Sequence, residues 1–241
     1  MSEQNDELDR LVKEGPVGEI FRAEQALSIL DTTGELANEI NKNNHGEVFS
    51  TFQAFCIDQI ILSINKLYEK PGRYQLKSIP AILNYFLENS QFLEVTQPNL
   101  LNQQLMRLNM QVFVTEETDQ NAMNILIHQK MINHIHDISN NETLTALKTL
   151  RDKRIAHPED ISVESLPKPT WSAVEELLTP AKDIVGIIGD GYLSTAYMLE
   201  DGEYLLSTDA ARVGRGIRRL LGDLGIQASN KRFQPTRYPR G

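Results

Sequence analysis

Leu147-Lys148-Thr149-Leu150-Arg151-Asp152-Lys153-Arg154-Ile155-Ala156-His157-Pro158 packs three cations into four residues and sets a histidine directly before a proline. Leucines at 144, 147 and 150 recur at helical spacing, so the stretch reads as the second half of a helix over about 140–157. Ser139 and Glu142 offer a capping box at its start. Proline disfavours helical backbone in the residue before it, which places His157 at the end of the last turn. There the outward-facing carbonyls carry partial negative charge and favour an imidazolium. Arg154 lies one turn below His157 on the same face, with Arg151 further upstream. Both arginines stand where the leucine stripe would continue. Cations on a face due for burial need partners, a neighbouring subunit or a ligand.

An arginine and a histidine so placed are what metal-free RNA cleavage requires. The imidazole can move the proton of the 2′-hydroxyl or of the leaving oxygen, and a guanidinium can hold the phosphate as charge develops on it. The spacing alone is a weak pattern. A surface helix end whose Arg and His complement the helix dipole is the plainer reading of the same residues.

A chain of 241 residues is long enough for one substantial core, or a core with a small appendage. Forty per cent hydrophobic and 24 per cent charged residues describe a soluble globule. The single cysteine, Cys56, excludes an internal disulfide and a cysteine zinc site, so a reducing, cytoplasmic setting is expected. The first residues are acidic and polar, unlike a signal peptide, and no apolar run approaches membrane-spanning length. The charge is uneven. Residues 207–241 hold eight Lys or Arg and two acids, leaving 16 bases against 31 acids before them. This divides the chain into a helical domain over 1–206 and a basic helix with a disordered tail over 207–241. An acidic body binds nucleic acid poorly, so any RNA must be gripped at local basic spots.

Strand-like alternation is scarce, and the expected class is all-α. Helices are expected over about 16–42, with a possible break at 31–34, then 48–67, 78–89, 100–114 and 119–138. A Pro-rich link at 166–171 leads into a helical hairpin, 171–178 and 180–199, and a basic helix follows over 208–225. The wide apolar stripe over 48–67 implies a central helix touched on more than one side. His128, His134 and His136 are not spaced to share a metal, and a solvated helix face is the better reading. No metal or cofactor is expected. The glycines of 186–191 superficially suggest a phosphate loop, but with no preceding strand close helix packing is favoured. Arg212, Arg215, Arg218 and Arg219 make a basic face for RNA phosphates or an acidic partner, or simply balance the acidic body.

The stretch from Leu150 to His157 resembles the Arg-polar-(x4)-His motif of HEPN domains, closest to the AbiU-type abortive-infection family. The long early helix ending at Tyr68 and the Trp171 helix after the motif are similar too, and the likeness covers roughly residues 15–200. The resemblance implies an up-and-down helical bundle with additional helices, paired as a homodimer with a composite active site. It further implies a metal-independent endoribonuclease, a toxin or anti-phage effector leaving 2′,3′-cyclic phosphate ends on cellular RNA, with an antitoxin as a possible partner. By that likeness His157 is the general acid/base, Arg151 binds or polarises the phosphate, and Asp152 orients one of them. Arg154 and Lys153 are expected to contact RNA phosphate. The alternative is a non-catalytic helical dimerisation module or RNA-binding protein.

Overall fold

The computed structural model describes residues 2–72, 76–114, 119–156 and 167–227. Eleven α-helices form within them, with no β-strand and one isolated bridge between Met198 and Tyr204. The expected all-α bundle is the fold observed. In chain order the helices are α1 (Glu3–Val12), α2 (Gly18–Glu35), α3 (Ala37–Lys42), α4 (Gly46–Tyr68), α5 (Ile79–Glu88) and α6 (Pro98–Arg107). They continue with α7 (Gln120–Ile135), α8 (Glu142–Leu150), α9 (Trp171–Tyr192), α10 (Leu205–Ala210) and α11 (Arg212–Asp223).

Helix α4 is the hub, packed on α2 and also against α5, α8 and α9. Ile60, Ile61, Ile64 and Leu67 bury its C-terminal half, but Val48, Phe52 and Phe55 stay exposed on its N-terminal half, Phe55 by 65%. The width of the stripe therefore does not mean cover on every side. Length and composition also make α4 apolar enough to cross a membrane. The sequence expectation missed this because Glu47, Asp58 and Lys66 interrupt each apolar run. Here α4 is the centre of the bundle, and its Ser63 donates a hydrogen bond at 2.8 Å to Glu19, a buried carboxylate on α2.

Helix α1 was not expected, because its acidic, polar composition hides three apolar positions, Leu8, Leu11 and Val12. Leu8 and Val12 are nonetheless fully buried, and buried Asn5 donates to the carbonyls of Glu94 and Tyr192 at 2.9 and 2.7 Å. Helix α2 runs through 31–34 without breaking, since Thr32 and Thr33 are buried and Thr33 bonds back to the Ile29 carbonyl at 2.9 Å. Helix α6 stops at Arg107, well short of 114, where Asn109 adopts a left-handed φ of 53°.

The hairpin expected around Pro180 is one continuous helix, α9. Proline there withdraws a backbone donor, and the Tyr68 hydroxyl of α4 donates to the nearby Leu177 carbonyl at 2.5 Å. The glycines of 186–191 serve close packing: Gly186 faces Met198, Gly189 faces Tyr197 and the Thr195 carbonyl, and Gly191 faces Leu101. The chain then turns at Gly202, with φ of 88°. The basic segment forms two helices where one was expected. Helix α11 lies on α2, with Gly214 against Ser28 and Thr32, and Leu221 and Ile226 pack with Leu36 and Ile40. The tail expected to be disordered, 228–241, lies outside the described residues.

Candidate functional site

Helix α8 begins at Asn141, whose side chain accepts from the Leu144 N–H at 3.1 Å. The cap expected at Ser139 therefore falls two residues later: the Ser139 hydroxyl donates to the His136 carbonyl at 3.0 Å instead. Leu144, Leu147 and Leu150 face the core as their spacing requires. At Arg151 the helix widens into a π-helical turn, Arg151–Ala156. A π turn takes more residues per revolution, so the leucine register does not carry through it. Such turns recur at functional sites. Its first residue is held from below by the buried side chain of Asn65 on α4, which donates to the Leu147 carbonyl at 3.1 Å. The Arg151 N–H donates to that same carbonyl.

The two arginines leave this turn toward different points of α4. The Arg151 side chain is 28% exposed; its Nε donates to Asp152 at 2.8 Å, and its Nη1 lies 3.7 Å from Glu69, just beyond the end of α4. The Arg154 side chain is 39% exposed, with Nη2 3.1 Å from Asp58. Lys153 is half-buried beside them and Asp152 is exposed. The inward stripe expected of both arginines is thus half realised, because the change of helical register turns Arg154 outward. Sequence reading missed both carboxylate partners. Their one signal was two acids interrupting and ending the apolar run of α4. His157 lies outside the described residues; it follows Ala156, the last residue of the π turn.

Beside Arg154 opens a cavity of about 220 Å³. It is lined by Ile61 of α4, Leu147 and Leu150 of α8, Arg154 of the π turn, Lys168 ahead of α9 and Trp171, the first residue of α9.

A second polar cluster ties α6, α7 and α9 together. Asp183, buried on α9, accepts from Arg107 at 2.7 Å and pairs with His134 at 2.9 Å. Burial pushes its carboxyl up, but the hydrogen bonds from His134 and Arg107 outweigh this and hold it below the usual carboxylate range. Gln104 extends the cluster, accepting from Arg107 at 3.0 Å and donating to Asp190 at 2.8 Å. Burial raises the Asp190 carboxyl. His128 is buried too, and desolvation lowers it below the ordinary histidine value. The solvated face expected of the three histidines is therefore true of His136 alone, which is 72% exposed. Among the described residues no three His, Cys, Asp or Glu side chains converge as a metal would require. The basic face of α11 is partly engaged within the chain: Arg212 pairs with Asp209 at 3.0 Å, Arg218 with Glu35, and Arg215 donates to the Thr208 carbonyl at 3.0 Å.

Compared with known proteins, the chain matches the family HEPN_AbiU2, described as AbiU2, over residues 5–213. That span starts within α1, takes in α2 to α10 and reaches the first residues of α11. No curated protein and no solved structure matches the chain.

Proposed function

The chain belongs to the AbiU2 family of HEPN-type proteins, and from that premise we propose that it is an abortive-infection effector that cleaves RNA without a metal. The observation that carries the reading is the π-helical turn: it bears Arg151 and Arg154, both reaching solvent in part, and His157 is the next residue in the sequence. On this reading His157 takes the proton of a 2′-hydroxyl and the freed oxygen attacks the adjacent phosphorus. The bond to the 5′-oxygen breaks and that oxygen is protonated, leaving a 2′,3′-cyclic phosphate and a 5′-hydroxyl. DNA, lacking the 2′-hydroxyl, is refused. Arg151 faces the charge developing on the phosphate. Asp152 fixes it through Nε and leaves its Nη groups to the substrate. Arg154 and Lys153 contact neighbouring phosphates. Glu69 and Asp58 are weak competitors, since part-exposed ion pairs contribute on the order of 0–1 kcal/mol.

The test is incubation of wild type, His157→Ala and Arg151→Ala with total bacterial RNA in EDTA. Fragments ending in cyclic phosphate are expected from wild type, with each variant slower by about two to four orders of magnitude and unchanged in circular dichroism. RNA left intact by wild type sinks the catalytic reading.

The second reading, an interaction module, is favoured by the exposed Val48, Phe52 and Phe55 on one side of α4. A second copy docking there would sit one turn from Asp58, the partner of Arg154, so a composite site in a homodimer joins the two readings. Phe55→Glu is expected to convert a dimer to monomer in light scattering. A wild-type protein that is already monomeric removes the dimer from the proposal. An antitoxin would compete for the same face.

A further inference from the structure

We propose that the cavity between α4, α8 and the start of α9 is a subsite for one unstacked RNA base, with Trp171 as its stacking platform. This rests on the reading of the Arg151–His157 turn as an RNA-cleaving site, and it names what holds the substrate there. The cavity's lining is mostly aliphatic, with Ile61, Leu147 and Leu150 among it, and the charged side chains on it are Arg154 and Lys168. A volume of about 220 Å³ falls below the range of drug-sized pockets and suits a single flat ring. Trp171 lines the cavity and is 40% exposed, so its indole is accessible to such a ring.

Charge decides between a base and an apolar side chain of another protein. An apolar side chain would be met by neutral surroundings, whereas the lining of this cavity includes a guanidinium and an ammonium, Arg154 and Lys168, together with the aromatic ring of Trp171. A nucleotide supplies the matching pair, a π-face for the cavity and a phosphate for the cations. The cavity also touches, through Arg154, the same π turn that bears Arg151, so a base seated in it brings its own phosphate to that turn. In a body with 16 bases against 31 acids, stacking supplies affinity that general electrostatic attraction cannot. The base adjoining the cut is then selected by its fit beside Trp171, and cleavage favours sites where that base is unpaired.

Trp171 is the one tryptophan in the sequence, so its emission reports on the cavity directly. The probe is a short 2′-O-methyl RNA oligonucleotide, which cannot be cleaved because the attacking oxygen is blocked. Anisotropy of a labelled oligonucleotide measures binding, and tryptophan emission is followed with the unlabelled one. Binding should quench Trp171, and an abasic analogue of the same backbone should bind without quenching. Trp171→Ala should weaken binding by about tenfold, with Trp171→Phe recovering most of it. Lys168→Gln, which leaves the interior untouched, should weaken binding and retain the quench. Rising anisotropy with unchanged emission, and equal binding by Trp171→Ala, overturns the subsite and leaves the RNA reading standing. No rise in anisotropy overturns the RNA reading and the subsite with it. Emission that follows protein concentration and ignores RNA assigns the cavity to a protein contact, which also overturns the proposal.

Discussion

Asn65 lies buried on α4 and reaches the carbonyl of Leu147, 82 residues away, at 3.1 Å. That bond sets the height of α8 just where its backbone opens into the π turn. Asn65→Ala should cost about 1–2 kcal/mol in urea denaturation, from a lost hydrogen bond and packing. On the proposed function it should also slow RNA cleavage more than the loss of folded protein explains. An unchanged midpoint would show that α8 is seated by its leucines alone. The Arg154–Asp58 pair is a different case, because both side chains reach solvent. A double-mutant cycle should give a coupling under about 1 kcal/mol, which leaves Arg154 available to a phosphate. Coupling of about 3 kcal/mol would make that arginine a structural strut.

At the scale of elements, two helix glycines, Gly189 of α9 and Gly216 of α11, meet opposite surroundings. Gly189 admits the Tyr197 ring and the Thr195 carbonyl, where an added Cβ would come within 2.7 Å of that carbonyl oxygen. Gly216 on α11 has nothing within 4 Å of the same position. Alanine improves helix propensity by about 1 kcal/mol at either site, but at Gly189 overpacking costs about 1–3 kcal/mol and wins. Gly189→Ala should therefore lower the melting temperature and Gly216→Ala should raise it. Equal shifts would mean that α9 can move away from the 195–197 segment. Both glycines stand out in the sequence, yet only their neighbours separate them. The same is true of Pro180, which reads as a helix break in the sequence although α9 runs through it from Trp171 to Tyr192.

Two titrating groups act on the molecule as a whole, in different pH windows. Burial lowers His128, so the unfolded chain takes up a proton more readily than the folded one below about pH 6.5. Stability should fall as pH drops through that value and be flat above it. The Nε2 of His128 is buried without a hydrogen-bond partner, so His128→Leu should leave neutral-pH stability equal or higher and flatten the loss between pH 7 and 5. An unchanged slope in that variant would place the titration elsewhere. Asp183 is held below the usual carboxylate range, so its contribution is present above about pH 4 and lost as pH falls further. Asp183→Asn should cost about 3 kcal/mol at neutral pH, the low end for a broken buried pair because Arg107 and His134 touch solvent.

Periodicity and punctuation in the sequence determined the helical class, the extent of α4, α5 and α7, and the helix that carries the Arg-polar-(x4)-His motif. These follow from local rules: apolar spacing, caps at Ser78 and Asp119, and Tyr68 followed by Lys70-Pro71-Gly72. Tertiary structure decided the rest. Whether Pro180 or Thr33 breaks a helix depends on what packs there, and α1 holds its place because Asn5 finds carbonyls near residues 94 and 192. The conversion of the last turn of the motif helix from α to π redirected Arg154, and the carboxylates facing both arginines came from α4. The cavity beside Trp171 is assembled from three segments that no single stretch of sequence contains. A sequence fixes which groups a chain owns and how each helix is faced. Which groups meet depends on how those faces pack, and packing is a property of the whole chain.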